Sequence, residues 1–343
     1  MYRLKNIVND CALVKFIDNY LSYKKNNQLL FNEFIISINP LDWYYNKVYN
    51  YLIIKNYDWN SFIYNVEDKS LTKKELNLII PIHSDNYLIA TLDSKFVILN
   101  SENFEIISKI DTEEISFKYA YFEFEKLFLT KETMLLTYNI KRGNLLKQYN
   151  LSELGTYQYR SEGERSYEVQ KFIGVVNNVL WVEISDWNLL ALDIETGELI
   201  FRMDCRKFIP QNMSVGGGSE SYMFDEKNKR IVWLSYTALF HIDLQNKEIH
   251  VVKDFWNVDK PDQWHFKGMI LKNDKIYFTG SKGSENLIFK KRVGIMDSNT
   301  GEIIWNEYLD LPESKGLGTP QVSEDKLYVL ATNGNLYIFE KEG

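Results

Sequence analysis

The chain of 343 residues is poor in the residue types from which most catalytic and metal sites are built. It has two cysteines, Cys11 and Cys205, far apart and in no CxxC pair, so two buried thiols in a reducing compartment are expected rather than a disulfide framework. Its four histidines, His83, His241, His250 and His265, show no HExxH or His-x-His spacing, which leaves a metal site without ligands. No apolar run approaches the roughly 18 residues that cross a bilayer. The opening MYRLKNIVNDCALVKFIDNY lacks the apolar centre and cleavage site of a secretory leader. A cytoplasmic chain without membrane insertion is therefore expected. Positive charge is also short, with 40 Lys and Arg against 47 Asp and Glu, a net charge of −7 and no basic block. Phosphate backbones are held by clustered Lys and Arg, so nucleic acid is not an expected partner. GGGS at Gly216–Ser219 is not followed by GK[ST], no GxSxG occurs, and the carboxylates Glu162 and Glu164 read as solvated. No catalytic set, cofactor or metal is expected.

Aromatic side chains are plentiful: 23 Tyr, 20 Phe and 8 Trp. With many Asn-bearing turns, six prolines and no sustained helical period, they point to strands, because aromatic and β-branched side chains suit a half-buried pleated surface. Segments such as KLYVLA and NLYIFE alternate with period two.

The stretch ALDIETGELIF (Ala191–Phe201) returns as GIMDSNTGEIIW (Gly294–Trp305). Asp193 and Asp297 serve as register marks, each followed by Thr-Gly and then Glu. The same frame is met at Asp243, with Asn246-Lys247 in place of Thr-Gly, and more faintly at Asn139, Asn100, Asn65, Glu340 and Asn32. About fourteen residues before the early marks stand Asn19-Tyr20-Leu21, Asn50-Tyr51-Leu52 and Asn86-Tyr87-Leu88. Each unit reads as three apolar strands joined by tight turns, then a more polar fourth. The marks lie 33 to 54 residues apart, and four-stranded units repeating at about 40 to 50 residues are the signature of propeller blades. The spacing predicts a single all-β propeller over residues 1–343, with eight four-stranded blades, or seven if Asn32 is no mark. The last unit stops after its third strand, and Tyr2–Val8 is expected to supply the fourth. Within the turn the glycine provides positive φ, the Asp accepts turn N–H groups, and Phe201 or Trp305 covers the next seam.

The pattern AxDxxTGxxxW resembles the PQQ-like repeat of quinoprotein alcohol dehydrogenase-like propellers. Ala191, Asp193, Thr196, Gly197 and Phe201 match it, as do Asp297, Thr300, Gly301 and Trp305. The resemblance implies eight blades. It does not carry over the family's oxidation chemistry, which uses adjacent cysteines, and it implies a non-enzymatic, scaffold-type member.

Loops joining blades, and turns between second and third strands, hold the candidate contact residues. Tyr157, Tyr159, Arg160 and Arg165 lie in Gly155–Tyr167, Trp187 in Ser185–Asn188, Arg206 in Asp204–Asn212, and Trp256, Trp264 and His265 in Asp254–His265. Tyr, Trp and Arg are the residue types enriched at interface hot spots. A protein-binding scaffold is the expected function, a bacterial toxin-neutralising immunity protein being one concrete form. The alternative is a small-ligand or enzymatic propeller whose site, around His265, Trp264 and Arg165, lies at the mouth of the central channel.

Overall fold

A computed structural model describes all residues except 1, 18–19, 32–33, 37, 76, 85, 94, 111–118, 160–162, 210–220, 256–263, 284–289, 313 and 343. The chain is an all-β propeller of eight four-stranded antiparallel blades, which excludes the seven-blade alternative. It divides into two compact units, Ser37–Met203 and Met1–Ile36 with Asp204–Gly343. Asn32 and the Gly216–Ser219 stretch lie outside the described residues.

The first unit holds blades 2 to 5. Blade 2 runs through Pro40–Asn46, Tyr51–Asn56, Ser61–Asn65 and Leu71–Lys74, and blade 3 through Asn77–His83, Tyr87–Leu92, Lys95–Asn100 and Ile106–Lys109. Blade 4 comprises Ala120–Glu123, Lys126–Lys131, Met134–Asn139 and Leu145–Asn150. Blade 5 comprises Val169–Val176, Val179–Ile184, Asn188–Asp193 and Leu199–Asp204. The second unit holds blade 1 (Cys11–Ile17, Tyr20–Lys25, Gln28–Phe31, Phe34–Ile36) and blade 6 (Tyr222–Asp225, Arg230–Leu234, Ala238–Asp243, Glu248–Asp254). It also holds blade 7 (Trp264–Lys272, Lys275–Lys282, Lys290–Asp297, Ile303–Tyr308) and blade 8 (Gln321–Val322, Lys326–Leu330, Leu336–Lys341). The fourth strand of blade 8 is Tyr2–Val8, paired antiparallel with Leu336–Lys341 as its sequence position predicts.

Apolar burial is concentrated between consecutive blades. Phe128 and Leu135 of blade 4 share one cluster with Leu180, Val182 and Leu190 of blade 5, and Val232 and Leu239 of blade 6 meet Phe266 and Phe278 of blade 7. Trp305 of blade 7 packs at 5.7 Å from both Tyr2 and Phe339 of blade 8. Fourth strands are the most exposed, as in Leu71–Lys74 and Glu248–Asp254, which explains their more polar sequence.

The register marks end the third strands, and their side chains build the turns that follow. Asp193 Oδ1 accepts the N–H groups of Glu195 and Thr196 at 2.8 Å; Asp297 does the same for Asn299 and Thr300, and Asp243 for Gln245 and Asn246. Asn65, Asn100 and Asn139 accept equivalent bonds, so the faint marks are the same device with an amide in place of a carboxylate. Four residues after the mark the backbone is left-handed whether or not glycine is present: φ is 68° at Gly301, 70° at Gly143, 60° at Lys247 and 64° at Phe104. The neighbouring blade decides which residue is allowed. A Cβ on Gly143 would lie 2.0 Å from the Lys109 carbonyl of blade 3, and one on Gly301 would lie 2.9 Å from Lys253 Cβ of blade 6. Phe104 has room, and its ring lies 5.3 Å from Tyr51 of blade 2.

At four of the marks the next residue joins two blades through its two flanking peptide groups. Its N–H bonds within its own blade, as Ile194 does to Asn178 and Ser298 to Asp274. Its carbonyl accepts from the preceding blade: Ser101 from Tyr51 Oη at 2.7 Å, Ile140 from Ser108 Oγ, Ile194 from Lys126 Nζ at 2.6 Å, and Ser298 from His241 Nε2 at 2.7 Å. All four acceptor residues are fully buried, where an unpaired carbonyl would be costly. His241 is held below the ordinary histidine value, chiefly by burial, and as a neutral ring its Nδ1 accepts from Arg230 Nη1 at 3.0 Å.

Removing Met1–Val8 strips the fourth strand from blade 8 and exposes the Trp305 seam. The truncated chain should melt roughly 5–10 °C below the full chain, since several kcal/mol are lost at about 2–4 °C each; an unchanged melt in circular dichroism would refute this closure. Gly143→Ala should cost about 2–4 kcal/mol in urea unfolding, combining left-handed strain with a displaced blade 3 backbone. Gly155→Ala, at φ 90° and ψ −153° with nothing within 4 Å of the new Cβ, should cost only the backbone strain, about 1–3 kcal/mol.

Candidate functional site

Between blades 4 and 5 the chain does not run as the open loop its sequence suggests. Asn150 caps a single 3₁₀ turn, Leu151–Leu154, its side chain accepting the Ser152 N–H. Gly155 then redirects the chain, and Thr156–Gln158 pairs antiparallel with Glu164–Ser166 as an extra hairpin. Thr156 Oγ1 donates to Glu164 Oε2 at 2.9 Å, and the Tyr159 N–H donates to the Gly163 carbonyl.

This hairpin assembles three of the residues singled out in the sequence. Tyr157 lies opposite Arg165, with its ring 5.2 Å from Tyr167 and edge-on to Tyr159 at 6.3 Å. The guanidinium of exposed Arg165 sits 4.0 Å over the half-buried Tyr159 ring, a cation–π stack. Tyr167 is buried in the seam between blades 4 and 5 and anchors the group.

Arg202 holds the arrangement from below. Rising from the fourth strand of blade 5, it places its guanidinium 4.5 Å over Tyr167. Nη1 donates to the Leu154 carbonyl at 3.2 Å and Nε to Asn188 Oδ1 at 3.0 Å. Asn188, fully buried, bonds back to the Asp186 carbonyl and so fixes the turn that carries Trp187. That turn has two successive left-handed residues, Asp186 at φ 63° and Trp187 at φ 55°, the backbone of a tight two-residue hairpin. A tryptophan there is strained and persists because its surroundings hold it. Tyr157, Tyr159, Arg165 and Trp187 thus belong to one framework whose tie is Arg202. Neither Arg202 nor Tyr167 was evident from sequence; the available signal was an arginine inside the otherwise apolar strand LIFRMD.

The remaining candidates lie in the second unit or outside the described residues, as Arg160 and Trp256 do. Arg206 stands on the 3₁₀ turn Cys205–Phe208 and pairs with its N-cap residue, Asp204, at 3.2 Å. Trp264 is buried, stacked on Phe266 at 5.7 Å and edge-on to Phe278 at 5.5 Å, within the core between blades 6 and 7. His265 follows it half-buried and is held below the ordinary histidine value by burial and then by Lys267. Cys11 and Cys205 are both buried and form no disulfide. Among the described residues no group of three or more His, Cys, Asp or Glu is placed to hold a metal ion, and no helix is long and apolar enough to cross a membrane.

One further titratable group underlies the Trp187 turn. Glu183, in the strand leading into it, is buried across from Lys171 and beside Leu189. Its Oε2 has no hydrogen-bond partner among the described residues, and burial pushes its carboxyl from 4.5 up to about 8.

No family model matches the chain. A protein of Acanthamoeba polyphaga mimivirus named for a BTB/POZ domain is 23% identical over 240 residues, 66% of this chain and 43% of that protein, so the match spans well under half of the relative. Among solved structures, the computationally designed Ika8 protein is similar with a TM-score of 0.63 and 10% identity, covering 97% of this chain and 96% of its own. BamB of Moraxella catarrhalis gives 0.57 and 9% over 99% of this chain and 100% of that one; Sqt1 of Saccharomyces cerevisiae gives 0.60 and 11% over 100% and 98%. At such identities these likenesses show the fold alone.

A carboxyl whose value is higher in the folded chain binds its proton more tightly there, so Glu183 removes stability as pH rises from about 4.5 to about 8. Glu183→Gln should therefore melt several degrees above the unmodified protein at pH 8, with the gap closing toward pH 4.5. Parallel melts across that range that showed a constant gap would refute the assignment.

Proposed function

We propose that the chain is a non-enzymatic propeller of the PQQ-like repeat type that acts as a scaffold, presenting the Tyr157–Tyr159–Arg165 hairpin to a protein partner in the cytoplasm. The observation that carries this reading is the Arg165–Tyr159 stack held on a braced support. Rigid aromatic surface with a guanidinium gives large contact area at low entropic cost, the composition of interface hot spots. Trp187, on the turn tied to the same Arg202, extends that surface. The two buried cysteines, unpaired with each other, support a reducing compartment. The BTB/POZ name of the mimivirus relative is compatible with a role in protein assembly. A toxin-neutralising immunity protein is one specific form of such a scaffold, in which the hairpin would occlude the toxin.

Affinity capture with the tagged full chain, followed by mass spectrometry, should recover one stoichiometric protein. The double variant Tyr159→Ala, Arg165→Ala should lose it, with affinity reduced by about 100-fold or more and the melting temperature little changed. Repeated capture without a stoichiometric partner, or equal capture by the variant, would overturn the reading.

A further inference from the structure

Blade 7 carries a polar notch that the scaffold reading leaves unused. His265 pairs across strands with Ser281, and Ser281 with Lys291, so the three form a row across the first three strands. The row opens into a small notch lined by Lys267, Thr279, Ser281 and Lys291 and closed by Gly316 and Leu317 from the segment before blade 8.

The chemistry of this lining is one-sided. Among the described residues it includes two lysines and no carboxylate, in a chain whose net charge is −7. Among the described residues neither the Lys267 nor the Lys291 ammonium has an ion-pair or hydrogen-bond partner. Thr279 Oγ1 donates to the Gly318 carbonyl at 3.0 Å and is satisfied. Ser281 is only 7% exposed, lines the notch, and its hydroxyl makes no hydrogen bond among the described residues. The hydroxyl opens into the notch, where a bound group can supply its partner. Lys267 also depresses the His265 imidazole, so its positive potential reaches the row.

We propose that this notch binds a phosphate-type dianion, with Lys267 and Lys291 as countercharges and the Ser281 hydroxyl as donor. Two point-charge cations balance a dianion, whereas a single carboxylate would leave one ammonium uncompensated. The enclosed depth takes one oxygen-sized group, so one oxygen of a tetrahedral anion enters and the others remain at the mouth. Free inorganic phosphate and a phosphorylated side chain of a partner share this chemistry.

His265, one of only four histidines, supplies the readout. Histidine-labelled protein titrated with inorganic phosphate at constant ionic strength should show a saturable shift of the His265 ring signals with a dissociation constant near or below about 1 mM. The imidazole should titrate at higher pH when the site is filled, because a nearby anion favours the charged ring. Acetate should produce neither effect. Lys267→Gln with Lys291→Gln should weaken binding at least about tenfold, and Ser281→Ala severalfold, with phosphate-free melting temperatures checking the fold. If the double variant unfolds early, Ser281→Ala alone decides. Tighter binding of phosphoserine than of phosphate would assign the site to a phosphorylated partner, and the reverse to the free anion. A shift that does not saturate, an acetate response of equal size, or binding undiminished in the folded variants would overturn the proposal.

Discussion

Four seams of this fold depend on a single buried residue whose two flanking peptide groups serve two blades at once. Ser101, Ile140, Ile194 and Ser298 each donate the N–H inside their own blade and offer the carbonyl to the blade before it. Because these residues are buried, the carbonyl has no water to fall back on, and the neighbouring blade must provide a donor. That requirement fixes how far each third-to-fourth-strand turn reaches and brings its left-handed residue against the preceding sheet. The glycine at Gly143 follows from that approach as much as from its own dihedral angle.

This constraint explains which parts of the architecture were legible in the sequence. Asp193, Asp243 and Asp297, with Asn65, Asn100 and Asn139, all make the expected turns, so strand order and blade number could be read from short polar residues that accept backbone N–H groups. The completion of blade 8 by Tyr2–Val8 was legible because the last repeat lacks a strand. The donors to the shared carbonyl were not legible. Tyr51 and Lys126 open the second strands of their blades, but Ser108 lies in a fourth strand and His241 in a third, so no single pattern marks all four.

The aromatic hairpin was only partly legible. Tyr157, Tyr159 and Arg165 were marked by residue type, but their pairing as strands was hidden because three-residue strands carry too little alternation to detect. Arg202 was hidden for a different reason: its partners, Leu154, Tyr167 and Asn188, come from three separate segments. Trp264 met the same residue-type criterion, yet its ring belongs to the core between blades 6 and 7. Composition identifies side chains able to bind a partner, and burial determines which of them are presented.

The diversity of those four donors has a consequence for descent. A seam closed by a main-chain acceptor accepts a phenol, an alcohol, an amine or an imidazole, provided the reach is right, so substitution can proceed around the molecule one seam at a time without any blade shifting. Architecture then outlasts spelling. BamB and Sqt1, at 9 and 11% identity, share the fold along nearly the whole length of this chain.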